Sequence, residues 1–162
     1  MTTLTIRTAD YHNPEDCAVL AQMLDIYARD PMGGGAPLNP QVKATLGPAL
    51  ANVPGAISLL AYLDGEPVGL LNAFSGFSTF ECKPLLNIHD VVVVPTQRGR
   101  GVGQAMLAEL ERLARERGCI KLTLEVLEGN RGAQEAYRRA GFAGYELDPK
   151  MGKALFWQKC LK

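Results

Sequence analysis

The sequence predicts an α/β fold built on a mixed, mostly antiparallel sheet flanked by helices. Three observations carry that expectation. Val91 to Val94 form an unbroken β-branched run closed by Pro95, which reads as a central strand covered on both faces. Arg98-Gly99-Arg100-Gly101-Val102-Gly103 follows at once and leads into a helical pattern. Upstream, two strand-like runs flank Asp64-Gly65, a hairpin signal, so the first half pairs antiparallel.

Length and composition set the limits. A chain of 162 residues makes one domain, spanning 1–162, with an ordinary apolar share of 47%. Lys+Arg and Asp+Glu number 17 each, so no net field attracts nucleic acid or an anionic membrane. No apolar run is long enough to span a bilayer, and the start is not a signal peptide, so a cytoplasmic protein is expected. Cys17, Cys82, Cys119 and Cys160 are scattered, which fits free thiols, and Cys17, Cys119 and Cys160 read as small buried hydrophobes. No ligand cluster calls for a metal.

Taken in order, Leu4 to Arg7 alternates as a first strand. Asn13-Pro14-Glu15 starts a helix that runs to about Ala28, and Asn39-Pro40 starts a second to about Ala51. Between them, three glycines bracketed by prolines, from Asp30 to Leu38, read as a loop. Ala56–Leu63 and Glu66–Phe74 are the hairpin strands. Ser75 to Glu81 is a polar and aromatic connection into the central strand. Val102, Met106, Leu110, Leu113 and Ala114 mark one face of a helix ending near Gly118. Ile120–Leu127 is a strand, a helix follows from about Arg131 to Ala140, and Ala154–Cys160 is the closing strand. The parallel pair is expected around Val92 and Leu124.

The glycine turn is suited to an anion. Its backbone N–H groups converge and the helix start adds unpaired donors and the positive dipole end. A triphosphate loop requires Gly-Lys-Ser/Thr, whereas Gly103-Gln104-Ala105 stands here. A dinucleotide fingerprint lacks its third glycine in both registers, although Glu125 lies at about the ribose-binding distance. A nicotinamide reading therefore stays as the weakest of three. The pattern Arg-x-x-Gly-x-Gly is met by Arg98, Gly101 and Gly103.

In its strand–turn–helix setting that pattern resembles the GNAT superfamily of acyl-CoA-dependent N-acetyltransferases, and its diamine acetyltransferase-like branch in motif. A second signature is similar: Asn130, Ala133, Tyr137, Gly141 and Phe142 fit Asn-x-x-Ala-x-x-x-Tyr-x-x-x-Gly-Phe. The clear match covers Ile88 to Phe142. The resemblance implies a splayed parallel strand pair forming the CoA cleft and acetyl-CoA as co-substrate, with no metal. Val91 and Val93 would pair with the pantetheine arm through their main chain. Arg98, Gly99, Arg100, Gly101, Val102 and Gly103 would hold the pyrophosphate. Asn130, otherwise a plain helix cap, would meet the cofactor arm.

The chemistry implied is acetyl transfer to the primary amine of a small molecule. A base must take a proton from the amine. Diamine acetyltransferases carry Glu-Asp where this chain has His89-Asp90. A neutral imidazole is competent as a base near neutral pH, so His89 and Asp90 are the candidates, with Glu81 behind them. Strand alternation predicts that Asp90 does not reach His89. Val93 is the candidate oxyanion donor by position. By resemblance, Tyr137 protonates the departing thiolate. Phe74, Phe77 and Phe80, with Ser78 and Thr79, are candidate pocket walls, and the Met32–Gly35 loop a candidate cover. The partner is a small amine, and a homodimer stays open. The alternative function is a non-catalytic acyl-CoA sensor or regulatory module.

Overall fold

The computed structural model describes residues 1–161, which form two compact units divided between Leu124 and Glu125. The first unit holds one five-stranded sheet, ordered β1-β2-β3-β4-β5: β1 Leu4–Thr8, β2 Ile57–Leu63, β3 Glu66–Ser78, β4 Lys83–Val93 and β5 Leu122–Leu124. The first three pairings are antiparallel and β4–β5 is parallel. No helix among the described residues is long and apolar enough to cross a membrane.

Helices cover both faces. α1 (Pro14–Arg29) starts where Asn13 accepts the N–H groups of Glu15 and Asp16, with Pro14 at the first helical position. Its Leu20 and Met23 pack with Leu50 of α2 (Pro40–Ala51) over the cross-strand row Leu60, Leu70 and Val92. α1 and α2 approach closely at Gly47, where an added Cβ would stand 2.3 Å from Cys17 Sγ. α3 (Val102–Glu116) buries Val102, Met106, Leu107, Leu110 and Ala114 on the opposite face. Met106 reaches Gly69 there. Each fully buried leucine contributes about 1.5–3 kcal/mol relative to exposure, so the two layers hold the sheet from both sides.

At the β2–β3 turn both Asp64 and Gly65 take left-handed φ angles, 50° and 85°, as a two-residue hairpin turn of the I′ kind requires. The β3–β4 hairpin is longer than the sequence suggests. Ser75–Ser78 continues β3 instead of forming a connection, because Lys83–Asn87 supplies the facing ladder. The turn is left with Thr79–Cys82. The glycine-rich loop is also partly ordered: Asp30 caps a single 3-10 turn at Pro31–Gly33, and Leu38 N–H donates to buried Asp25.

The valine run is covered less fully than its composition suggests. Val92 is buried, while Val91, Val93 and Val94 are half-buried. β5 is also shorter than expected, and its register is shifted. Leu86 faces Leu122 and Ile88 faces Leu124, so β4 runs on past the end of the parallel pair.

The second unit contains α4 (Arg131–Arg139), capped by the Asn130 side chain on Ala133 N–H. The expected closing strand at Ala154–Cys160 is absent. A strand needs a ladder, and among the described residues of this unit only a single bridge, Glu146 to Lys153, is formed. Leu155, Phe156 and Trp157 are accordingly exposed, as is Cys160, which is not the buried hydrophobe the sequence suggested.

Candidate active site

A β-bulge in β4 organises the site. Asn72 faces Asp90 and Ala73 faces Ile88, so His89 has no partner across the hairpin. Before the bulge, Leu86 N–H donates towards β5, to Lys121 O. After it, Val94 N–H donates towards β3, to Val68 O. The extra residue therefore shifts the alternation, and the main-chain groups of Val91 and Val93 face the β5 side. β5 has already ended at Leu124, so that stretch of edge lies beyond the ladder. The orientation of Val93 is visible in its carbonyl, which accepts Arg98 Nε at 3.2 Å.

The glycine turn follows directly. Pro95–Gln97 forms one 3-10 turn, and Gly99 and Gly101 then take φ angles of 79° and 81°. Side chains with a Cβ strain in that region, which accounts for glycine at both. Gly101 is the N-cap of α3, and no side chain caps this helix start. An added Cβ at Gly99 or Gly101 would meet nothing within 4 Å, so the space over the turn is open. Val102 buries its side chain, and Gly103 sits inside the first helical turn with the Val93 side chain as neighbour. The residues present thus fit a phosphate-bearing group.

The two arginines of the turn separate. Arg98 bonds Val93 O and pairs with Asp30 at 3.4 Å. Arg100 lines a shallow surface depression with Thr2, Leu4 and Leu63, on the β1 side of the sheet.

The bulge also corrects the expectation for His89 and Asp90. In a regular strand they would face opposite sides. Here Ser58, Asn72 and Asp90 form a cross-strand row on the α1 face, and His89 stacks edge-on against Phe74 of that face, with centroids 5.7 Å apart. His89 Nδ1 consequently lies 3.6 Å from Asp90 Oδ2. The imidazole is 64% exposed and the carboxylate 16%. Asp90 Oδ2 accepts Asn72 Nδ2 at 3.0 Å, Ser58 Oγ bonds Asn72 Oδ1, and Tyr11 Oη lies 2.8 Å from Ser58 Oγ. Burial, followed by the charges of Asp90 and Asp30, pushes the Tyr27 phenol of α1 above its ordinary value.

Sequence reasoning missed Tyr11, Ser58, Asn72 and Tyr27. A signal existed for two of them: Ser58 and Asn72 are single polar residues inside apolar runs, and both are buried. Glu81 lies in the turn beyond Ser78 and Lys83, a pair already about 20 Å along β3 from Asn72 and Asp90 at ~3.4 Å per residue, and is not brought to this cluster. Phe77 and Phe80 are exposed near that tip, and only Phe74 joins His89. In the second unit, Asn130 caps α4, and Tyr137 packs edge-on with Phe142 at 6.0 Å.

Residues 20–142 match the acetyltransferase (GNAT) family. Streptothricin acetyltransferase of Streptomyces lavendulae is 41% identical over 80 residues, which is 49% of this chain and 42% of that protein. Aminoglycoside N(6')-acetyltransferase type 1 of Stenotrophomonas maltophilia is 31% identical over 144 residues, 85% of each chain. A solved aminoglycoside acetyltransferase from an uncultured soil metagenomic sample has the same fold, with a TM-score of 0.77 at 18% identity, covering 98% of this chain and 97% of that one. The chain spans about half the length of most of the curated relatives it matches. With a family match running from the first helix through Phe142, and a bulged strand feeding a glycine turn within it, the chain belongs to the acetyltransferase (GNAT) family.

Proposed function

We propose that this protein moves an acetyl group from acetyl-CoA to a primary amine of a small molecule. The observation that carries the reading is the stretch of β4 beyond Leu124, where Val91 and Val93 turn their main chain outward beside an open glycine turn. Such an edge can pair with the amides of an extended arm, and the turn can hold the phosphates at its end. Two curated relatives named for acetylating streptothricin and an aminoglycoside support a small amine as acceptor.

The thioester supplies the activated acetyl group. Val91 and Val93 hold the arm by their backbone, and the Val93 N–H receives the developing oxyanion. Arg98, Gly99, Arg100, Gly101, Val102 and Gly103 form the pyrophosphate site, and the bond of Arg98 to Val93 O at the end of β4 supports Arg98 over Arg100. His89 Nε2 takes the amine proton, and Asp90 faces its other nitrogen. Following the resemblance, Tyr137 protonates the departing thiolate and Asn130 meets the cofactor arm.

A thermal-shift series tests the reading. Acetyl-CoA and CoA at about a hundredfold excess over their dissociation constants should stabilise the fold by about 2.7 kcal/mol, and NAD and ATP should not. A shift with NAD alone would overturn it. Binding of acetyl-CoA without turnover on a panel of aminoglycosides, diamines and amino acids would return the protein to the sensor class.

A further inference from the structure

We infer that Asn72 is a positioning residue that limits the grip of Asp90 on His89, with Ser58 and Tyr11 holding Asn72 in place. The inference rests on His89 as the base in the proposed reaction. It starts from two distances to one oxygen. Asp90 Oδ2 is 3.0 Å from Asn72 Nδ2 but 3.6 Å from His89 Nδ1. The first is a hydrogen bond and the second lies beyond one. The carboxylate is therefore held by the amide at a small remove from the imidazole.

The row behind Asn72 fixes the direction of that hold. A carboxylate only accepts, so Asn72 must turn its NH₂ towards Asp90 and its Oδ1 towards Ser58. Ser58 then donates to Asn72, which leaves its oxygen to accept from Tyr11. Burial pushes the Tyr11 phenol up, against the opposing effects of Ser58 and Arg117, so it keeps the proton it donates. Every donor points along the row towards Asp90. Ser58 is 1% and Asn72 3% exposed, so neither can swap its partner for water at low cost.

Both effects of Asn72 act in one direction. Its N–H spreads the charge of Asp90, and its position keeps that charge from closing on His89. An imidazolium gripped by a bare carboxylate sheds its proton only at higher pH, and a base must be free of that proton to act. The other titratable group that feels the Asp90 charge is Tyr27 of α1, which also feels Asp30, the partner of Arg98; neither belongs to the row.

The test is Asn72→Ala, with Ser58→Ala as a second variant that leaves Asn72 present but unheld. Two readouts are used: the ¹⁵N titration of His89 in the protein without ligand, and the acidic limb of kcat/KM. The chain has two histidines, so His12→Ala assigns the signals. In Asn72→Ala the His89 titration and the acidic limb should both move to higher pH by roughly half a unit, the size of one exposed charge-assisted contact. The KM for acetyl-CoA should stay within about twofold. Ser58→Ala should move the same way by less, and decides the matter if Asn72→Ala does not fold. An unmoved titration in the folded variant overturns the inference, even where its melting temperature falls. The ¹⁵N readout needs no substrate. A shift there in a protein that ignores acetyl-CoA would leave the row standing and remove the acetyl-transfer reading.

Discussion

Arg98 and Asp30 join two glycine-rich segments that are far apart in sequence, with NH2 and Oδ2 3.4 Å apart. One arginine thus bonds the last carbonyl of β4 and the cap of the 30–38 loop. In the proposed reading, Asp30 competes for Arg98 with the pyrophosphate. Asp30→Asn keeps an acceptor for Met32 N–H but removes the charge. Acetyl-CoA should bind up to about fivefold tighter, in line with ~0.2–1 kcal/mol for an exposed pair, and less so in high salt. Calorimetric titration at two ionic strengths reads this, and weaker binding would show that Asp30 places Arg98 instead of restraining it.

Gly101 is the position where conformation and ligand meet. Its left-handed φ makes any side chain cost about 1–2 kcal/mol, although the space in front is open. Gly101→Ala should lower stability by that amount. Gly101→Asp adds a negative charge at the start of α3, where the anion is proposed to lie, and should lower CoA affinity by at least about tenfold more than Gly101→Ala. Equal affinities in the two variants would remove the turn from the binding site.

For Tyr137, the phenol oxygen is the part under test. Tyr137→Phe keeps the ring that packs on Phe142. The variant should fold and bind acetyl-CoA as before and lose roughly 10²–10⁴ in turnover. A loss of stability with unchanged turnover per folded molecule would return this tyrosine to a packing role.

Asp16 should govern the acid side of stability. The Arg7 guanidinium, followed by the Asp10 N–H, holds its carboxyl below the usual range, against the opposing effect of burial. A carboxylate whose folded value is depressed contributes stability above its ordinary value, and that contribution is lost as pH falls through the folded value. Asp16→Asn should therefore cost about 1–3 kcal/mol at pH 7. The gap to the parent protein should narrow below about pH 4 in urea unfolding. A gap that persists at low pH would assign the cost to packing.

Much of the first unit was legible because its signals are local. Asn13-Pro14 and Asn39-Pro40 start helices through caps that their own neighbours complete, and Asp64-Gly65 turns a hairpin through its own φ preferences. The glycine turn was readable for the same reason. The bulge at His89 was not, since it depends on how β3 and β4 register over their whole length. That one unread step brings His89 and Asp90 to within 3.6 Å where opposite faces were expected, although still short of a hydrogen bond. The failed strand at Ala154–Cys160 has the opposite cause: its composition is right for a strand, but composition does not supply a partner.

The bulge also separates chemistry from architecture. His89 is the residue of β4 that the β3 ladder passes over. Its ring is largely exposed, and its neighbours Ile88 and Asp90 pair with Ala73 and Asn72 without it. In the proposed reaction, an exchange at this position therefore alters reactivity while that pairing stays in place. The proposed base occupies a replaceable socket, and the reaction this scaffold performs can drift by single substitutions while the fold stays constant.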